Sequence, residues 1–197
     1  MADAVTLKQA TLSYPHLSKP QPSNNGGPPK YSVTLVAIKD QLAPLEAAAR
    51  EVAIEALGEK KGKAFQLYGG KGSAFRTDNA EKYPNIEAAI TIGARTDRKP
   101  GMVYRHADPA SITAENPKGK PARVDEDKIE EVFYPGAVVN AQIKPFWYDR
   151  DGNKGVSWAL NNLQKWSEGE RLDSRVKAED AFDADMSETP DELQDVV

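Results

Sequence analysis

A stretch rich in glycine and lysine, Gly58-Glu59-Lys60-Lys61-Gly62-Lys63-Ala64, is the first candidate for chemistry, because similar loops cradle nucleoside triphosphates. That motif needs four residues between its glycines and a Ser or Thr after its lysine to bind magnesium. Here three residues separate Gly58 from Gly62, and Ala64 stands in the Ser/Thr position. The stretch also follows a predicted helix, whereas a phosphate-binding loop follows a strand. We therefore reject a nucleoside triphosphate site.

Two acidic runs, Asp125-Glu126-Asp127 and Glu130-Glu131, are the next candidates, because grouped carboxylates bind magnesium in nucleases. They lie in a polar segment without clear periodicity, which favours a solvated charge run. The chain has no Cys, and its only imidazoles, His16 and His106, have no acidic cluster beside them in sequence. We therefore predict a protein that is not an enzyme and has no metal or cofactor. A metal-dependent nuclease is kept as a disfavoured alternative.

The clearest pattern is a pair of β segments, Ala137–Tyr148 and Lys154–Trp166, joined by a connection that contains Asp151-Gly152. Asp-Gly is typical of a turn between antiparallel strands. Side chains alternate between the two faces of a strand, so the first segment has one apolar face (Val139, Ala141, Ile143, Trp147) and a second face formed by Gln142, Lys144, Phe146 and Tyr148. We predict that Tyr148 pairs with Lys154, which places Lys144 opposite Trp158.

In this register one face of the hairpin combines cations with aromatic rings, namely Lys144, Phe146, Tyr148, Lys154 and Trp158. Proteins that bind single-stranded nucleic acid need both kinds of side chain, because cations follow the phosphates and rings stack on the bases. The alternative for each ring is packing in the core. A shift of the register by one residue would reverse the faces.

Further candidate contacts lie in the glycine-rich stretch and around the predicted turn at Pro100. The cations are Lys71, Arg76, Arg95, Arg98, Lys99 and Arg105, and the aromatic residue is Tyr104. Cations at such positions neutralise phosphates, although ordinary solvation at the surface is the alternative for each of them.

The rest of the chain indicates a mainly β fold with one embedded helix. Strands are predicted over Val5–Tyr14, Tyr31–Ile38, Ser73–Arg76, Ile86–Arg95 and Met102–Arg105. Pro15 is expected to close the first strand. The helix is expected to start at Asp40 as its N-cap and to stop at Gly58, and residues 107–127 are expected to form a long surface loop. Several strands, turns and a single helix predict a small β-barrel.

Charge is divided unevenly along the chain. Residues 178–197 contain eight Asp or Glu and no Lys or Arg, whereas residues 1–177 carry 26 Lys plus Arg against 22 Asp plus Glu. A body of net charge +4 therefore precedes a tail of −8. The tail has too few apolar residues to offset the entropy of ordering it, so we predict that it is disordered. A solubilising end is the alternative role.

The sequence shows neither a secretion signal nor a membrane-spanning run. Residues 1–8 lack the basic start and apolar stretch of a secretion signal, and no run of 18 apolar residues occurs. These features predict a cytoplasmic protein that does not act in a membrane.

Several motifs in the second half of the chain occur in a fixed order. They are Phe133-Tyr134-Pro135-Gly136 before Val139-Asn140-Ala141, then Tyr148-Asp149, Gly152-Asn153-Lys154-Gly155-Val156-Ser157 and Leu160-Asn161, then Gly169-Glu170-Arg171-Leu172 and Ala181-Phe182. Together with a strand and basic turn over residues 92–105, they resemble a family of tailed-phage single-stranded DNA-binding proteins, formerly known only as a domain of unknown function. The resemblance is strongest over residues 86–182.

This resemblance implies an OB fold, here over residues 1–176, that binds single-stranded DNA with little sequence preference in phage replication or recombination, in the host cytoplasm. It also implies that the disordered acidic tail, residues 177–197, engages replication or recombination proteins, although Asp195-Val196-Val197 provides no terminal aromatic residue. A tail of −8 tethered to a +4 body should compete with DNA. Exposed strand edges leave a homodimer open. The alternative function is a protein-interaction or virion module on the same barrel, because OB folds host many functions.

Overall fold

The computed structural model of the protein describes residues 2–22, 27–70, 72–150 and 152–173. In this part of the chain the strands are β1 (Val5–Gln21), β2 (Lys30–Ala37), β3 (Tyr68–Gly69), β4 (Phe75–Arg76), β5 (Ile90–Thr96), β6 (Gly101–Ala107), β7 (Pro121–Arg123), β8 (Val138–Arg150) and β9 (Asn153–Ser167). The α-helices are α1 (Ala43–Leu57), α2 (Glu59–Ala64) and α3 (Ile129–Val132).

Five of these strands close into a barrel in the order β1-β2-β5-β9-β8, with β8 returning to β1. The closing contact is parallel and joins Ala94 to Trp158 and Arg95 to Ala159. The later half of β9 leaves β5 and pairs with β6 instead, and β7 extends that edge. The predicted mainly β barrel with an OB architecture is confirmed.

Alternating residues of the barrel strands fill its interior. Among the fully buried side chains are Leu7, Leu35, Ile92, Ile143 and Trp158. Helix α1 adds the buried residues Leu45, Ala48, Ala49, Val52 and Ala53, and packs against β8. The helix therefore packs its apolar face against the barrel.

The helix region differs from the prediction at its start and agrees at its end. Asp40 lies in a separate 3-10 turn, and Leu42 is the N-cap of α1, so the predicted cap is wrong. Gly58 ends α1 with a φ of 80°.

The lysine-rich stretch that follows is α2, in which a Cβ on Gly62 would lie 2.3 Å from the Cα of Ile54. Close packing on α1 explains this glycine without a phosphate.

Strand β1 continues past Pro15, where the sequence predicted its end. Ser13 pairs with Thr34 and His16 with Ser32, so Tyr14 and Pro15 form a β-bulge opposite one residue of β2. Because the bulge leaves the ladder locally unpaired, the missing N–H of proline breaks no ladder bond. Strand β5 begins later than predicted, at Ile90, because the residues before it cover β2 through a small cluster of Val36, Tyr83 and Ala89.

The β8–β9 hairpin is present, but its register differs from the prediction by one residue. Asp149 pairs with Lys154, and Arg150 pairs with Asn153. Two residues therefore separate the strands, which is the favoured loop length for Asp-Gly. The faces of β8 are as predicted, whereas the faces of β9 are reversed.

Tyr134 holds the segment that follows β9 onto the barrel. Its hydroxyl donates a hydrogen bond to Glu168 (2.7 Å) and accepts one from the backbone N–H of Gly169 (3.0 Å). Lys165, which is almost fully buried, lies over the Tyr134 ring at 4.4 Å and also pairs with Glu168 at 3.0 Å. We call Tyr134, Lys165, Glu168 and Gly169 the Tyr134 cluster. Burial and the bond to Glu168 raise the pKa of Tyr134, and hydrogen bonds from Tyr134 and Lys165 lower that of Glu168.

Candidate nucleic-acid interface

Two neighbouring rows of outward-facing residues cross the barrel strands, and together we call them the platform. The first row consists of His16, Ser32, Arg95, Ala159 and Lys144, each paired with the next across adjacent strands. In the second row Thr34 pairs with Gly93 and Ser157 with Phe146, and the register of β5 on β9 places Gly93 beside Ser157. None of these residues is fully buried, and none is acidic.

The centre of the platform is flat because its side chains are small. Gly93 is exposed, and a Cβ at this position would meet no atom within 4 Å. Ser157 and Ala159 continue the same surface on β9. A glycine inside a strand that no packing requires is typical of a position where another molecule approaches the backbone.

Two cations flank this flat centre. Arg95 and Lys144 pair with Ala159 from opposite sides, so their Cα atoms are about 10 Å apart, or two strand spacings. Within the part of the chain that the structure describes, neither side chain forms an ion pair. Both charges are therefore available to an anionic ligand.

Phe146 supplies an aromatic face beside these cations. Its side chain is 44% exposed, although a phenyl ring has no polar group that water would solvate. Tyr148 follows on the same face of β8 but is half-buried, and a Cβ on Gly155 would lie 3.1 Å from its hydroxyl. Phe146 is thus better placed than Tyr148 to stack on a base.

Trp158 does not belong to this surface. Its side chain is 1% exposed, its indole N–H donates to the carbonyl of Ala74 (2.9 Å), and its ring lies 5.8 Å from that of Phe75. The predicted stacking role of Trp158 is wrong, because the one-residue shift in register turns it into the barrel. Ser157 and Ala159 occupy the outer positions instead.

Three other predicted cations have acidic partners. Arg76 pairs with Asp78 at 2.8 Å, Lys154 with Asp149 at 3.1 Å and Lys99 with Glu126 at 2.5 Å. These hydrogen bonds lower the pKa of Asp78 and of Glu126. The three cations are less available to phosphates than Arg95 and Lys144.

The last predicted residues lie elsewhere along the sheet. Tyr104 stacks on the ring of His106 at 4.9 Å, and the guanidinium of Arg105 lies 3.9 Å from the centre of the Trp166 ring. Tyr104 and Arg105 both belong to β6, which lies beyond the platform. Lys71 lies outside the described residues, as does the acidic tail from residue 177 onward.

A surface depression of about 410 Å³ extends the platform where β5 gives way to β6 alongside β9. Its lining includes Arg98, Lys99 and Asn161. Arg98 is exposed and forms no ion pair with the described residues. The depression therefore offers a third available cation next to Arg95.

The acidic runs noted in the sequence make local contacts. Glu126 binds Lys99, Glu131 binds Lys128 at 3.1 Å, and Glu130 accepts a hydrogen bond from Ser18. Among the described residues, no group of three or more His, Cys, Asp or Glu is arranged to hold a metal ion. These carboxylates thus make surface ion pairs and, at Glu130, a hydrogen bond with a hydroxyl.

The sequence did not single out the small residues that make the platform flat. Gly93 lies in the middle of an alternating strand, which is a signal of close backbone approach. Ser157 and Ala159 carry no such signal, because their position depends on the register of the hairpin.

Sequence comparison decides which family the chain belongs to. The family model of the single-stranded DNA-binding protein of Enterobacter phage Enc34 matches residues 3–194. The chain is a member of the Enc34 single-stranded DNA-binding protein family. The resemblance to phage single-stranded DNA-binding proteins is thereby confirmed. A search of curated proteins gives no match.

Solved structures of similar proteins share the fold of this Enc34-family member. The Enc34 protein in complex with single-stranded DNA is 21% identical, with a TM-score of 0.59 over 85% of this chain and 88% of that chain. A second structure of the single-stranded DNA-binding protein from bacteriophage Enc34 is 23% identical, with a TM-score of 0.59 over 91% of this chain and 90% of that chain. Gp2.5, a single-stranded DNA-binding protein of bacteriophage T7, is 14% identical, with a TM-score of 0.53 over 89% and 97%.

Within the described residues of this family member, no helix has both the length and the apolar character needed to cross a bilayer.

Proposed function

We propose that this Enc34-family protein binds single-stranded DNA on the platform with little sequence preference. The observation that carries the proposal is the placement of Arg95 and Lys144 on either side of Ala159, next to the exposed ring of Phe146. Cations without acidic partners bind phosphates, and an exposed ring beside them stacks on a base. Family membership supports the same function.

The chemistry of the platform favours binding that is independent of sequence. Phosphates release condensed counterions when Arg95 and Lys144 neutralise them, and this contribution is the same for every base. Stacking on Phe146 also tolerates any base, because every base has a π face. The other platform side chains are short, so they offer few groups that reach base edges.

We place this activity in phage DNA replication and recombination, in the cytoplasm of the host. A bound chain would coat exposed single strands and keep them from re-annealing or being cut. This role needs binding alone, and we propose that the protein catalyses no reaction. Incubation of labelled single-stranded DNA with protein and magnesium tests this point, because cleavage would contradict it.

Besides DNA, the proposed partners are replication or recombination proteins that bind the acidic tail, and a second copy of the chain. A segment of eight acids tethered to a basic body has a high local concentration beside the platform. We propose that it occupies the platform until DNA displaces it, and that the released tail engages replication or recombination proteins. We also propose a homodimer that forms through an exposed strand edge.

Titration of a labelled oligonucleotide tests the function. Its length should be roughly 30 nucleotides, because one OB fold covers about 4–16. We expect binding at low salt, weaker binding at higher salt, and preference for the single strand over a duplex of the same sequence. A tail-truncated chain that binds no single strand at low salt would exclude the proposal. That result would favour a protein-interaction or virion module.

A further inference from the structure

Tyr14 is the most exposed large apolar or aromatic side chain of the described residues, at 62%. Within the same residues, Phe146 is the only other aromatic side chain among the exposed large ones. No described residue forms a hydrogen bond or ring contact with Tyr14. Burial raises the pKa of the Tyr83 phenol, and the nearby phenol of Tyr14 adds to this shift, but no described ring packs against Tyr14.

The backbone of Tyr14 is in the left-handed region, with a φ of 43°. This conformation is unfavourable for a bulky residue, and glycine or asparagine would adopt it at lower cost. A strained conformation that persists must be fixed by its surroundings, and such positions concentrate at binding sites. A tyrosine therefore occupies this position against the preference of the backbone.

Buried anchors on both sides fix this conformation. On one side Ser13 is 4% exposed and receives a hydrogen bond from the hydroxyl of Tyr83 (3.0 Å). On the other side Leu17 is 2% exposed, and Pro15 restricts the backbone between them. The bulge therefore presents the Tyr14 ring to solvent from a rigid base.

The bulge lies at the end of the platform opposite Phe146. Its flanking residues Ser13 and His16 pair with Thr34 and Ser32, which are the platform residues of β2. Across the platform, β9, β5 and β2 lie between β8 and β1, which is four strand spacings or about 19 Å around the barrel surface. The two strands also pair directly, but that pairing joins Val5–Thr11 to Val138–Ile143 and includes neither Tyr14 nor Phe146. The two exposed rings thus border the flat, cationic surface between them.

We propose that Tyr14 is a second base-stacking residue, and that single-stranded DNA crosses the strands from Phe146 to Tyr14. This inference rests on the proposed function, because it names a further contact of the same surface. The small residues between the rings leave room for the intervening nucleotides, and Arg95 and Lys144 lie along that path.

Affinity measurements on full-length variants test the proposal. We expect Tyr14→Ala to weaken single-strand binding by about 5- to 140-fold, the range of one lost stacking contact. Tyr14→Phe should bind like the wild type, because a phenyl ring also stacks. Ile112→Ala is the control, because Ile112 is 52% exposed and lies off the platform. Wild-type affinity in Tyr14→Ala would overturn the proposal.

Tyr14→Gly separates stacking from folding. Glycine adopts positive φ readily, so this variant should melt at a higher temperature than Tyr14→Ala while it also binds DNA weakly. A role in stability alone would instead give normal affinity in every folded variant, which would overturn the proposal.

Photocrosslinking of the unmodified chain to an oligonucleotide containing iodouracil provides a test without substitution. A crosslink at Tyr14 is expected, and crosslinks elsewhere with Tyr14 unmodified would overturn the proposal.

The proposed function and the role of Tyr14 would be contradicted by different results. Absence of single-strand binding by the wild type would contradict the proposed function. Normal wild-type binding that depends on Phe146 but not on Tyr14 would contradict this inference alone.

Discussion

Arg95 and Lys144 reach the same residue, Ala159, from two different strands. One lies on β5, which is parallel to β9, and the other lies on β8, which is antiparallel to it. The barrel closure and the hairpin together therefore bring the two cations onto one surface. Neither element would do so alone.

Removal of these cations should change the salt dependence of DNA binding. Each neutralised phosphate contributes about −0.7 to the slope of log affinity against log salt for single strands. We expect Arg95→Ala and Lys144→Ala each to flatten that slope by about 0.7 if each side chain contacts one phosphate. Arg76→Ala is the matched control, since Arg76 pairs with Asp78. An unchanged slope in both platform variants would contradict the proposed surface.

Replacement of Phe146 by Ala should weaken binding by about 1–3 kcal/mol, the contribution of one stacked base. The ring is 44% exposed, so the free energy of unfolding should change little. Binding isotherms and thermal melts of the same preparation measure both quantities. Normal affinity combined with a lower melting temperature would show that Phe146 serves packing instead.

Trp158→Ala should have the opposite profile. Truncation of a buried tryptophan leaves a cavity and typically lowers the free energy of unfolding by about 3–5 kcal/mol. It also leaves the Ala74 carbonyl without its indole donor. Urea unfolding should reveal this loss, whereas the fraction that remains folded should bind DNA normally. A stable variant with weak DNA binding would mean that Trp158 contacts DNA after all.

Deletion of residues 178–197 should raise the affinity for single-stranded DNA. The deletion removes eight negative charges and no positive charge, so a competitor of the phosphates is lost. The gain should be largest at low salt, where charges are least screened. Equal or lower affinity after deletion would leave solubility or partner binding as the role of the tail.

The Tyr134 cluster should respond to acid. Because hydrogen bonds from Tyr134 and Lys165 lower the pKa of Glu168 below its usual 4.5, the carboxylate form stabilises the folded chain. This contribution is present above about pH 4.5 and is lost as the pH falls through the lowered value. The amide signal of Gly169 in NMR spectra should report the change. Glu168→Gln should abolish the response, and persistence of the response would assign it to another group.

The sequence predicts the elements of this fold better than their register. Alternation correctly identifies the hairpin and the faces of β8, because those faces depend only on spacing along one strand. The faces of β9 depend on the turn, and a loop of two residues instead of five turns Trp158 inward. Phe146 and Lys144 could therefore be placed from the sequence, whereas Ser157 and Ala159 could not.

Pairing between strands that are distant in the chain is the second feature that the sequence does not predict. The sequence makes Arg95 a candidate only because it is basic and lies near a turn, and nothing local indicates that it lies beside Ala159. The strain at Tyr14 was equally hidden, since Pro15 in a strand-like segment predicts an end and not a bulge. Both features result from contacts between segments that are distant in the chain.

The parallel contact between β5 and β9 also has a consequence during synthesis of the protein. The two strands are far apart in sequence, so their pairing has a large loop-closure entropy and should form after the local hairpin. Because the platform spans this seam, a nascent chain that lacks β9 has only separate parts of the DNA-binding surface. We expect nascent chains to acquire affinity for single strands abruptly, once β9 is free to pair with β5.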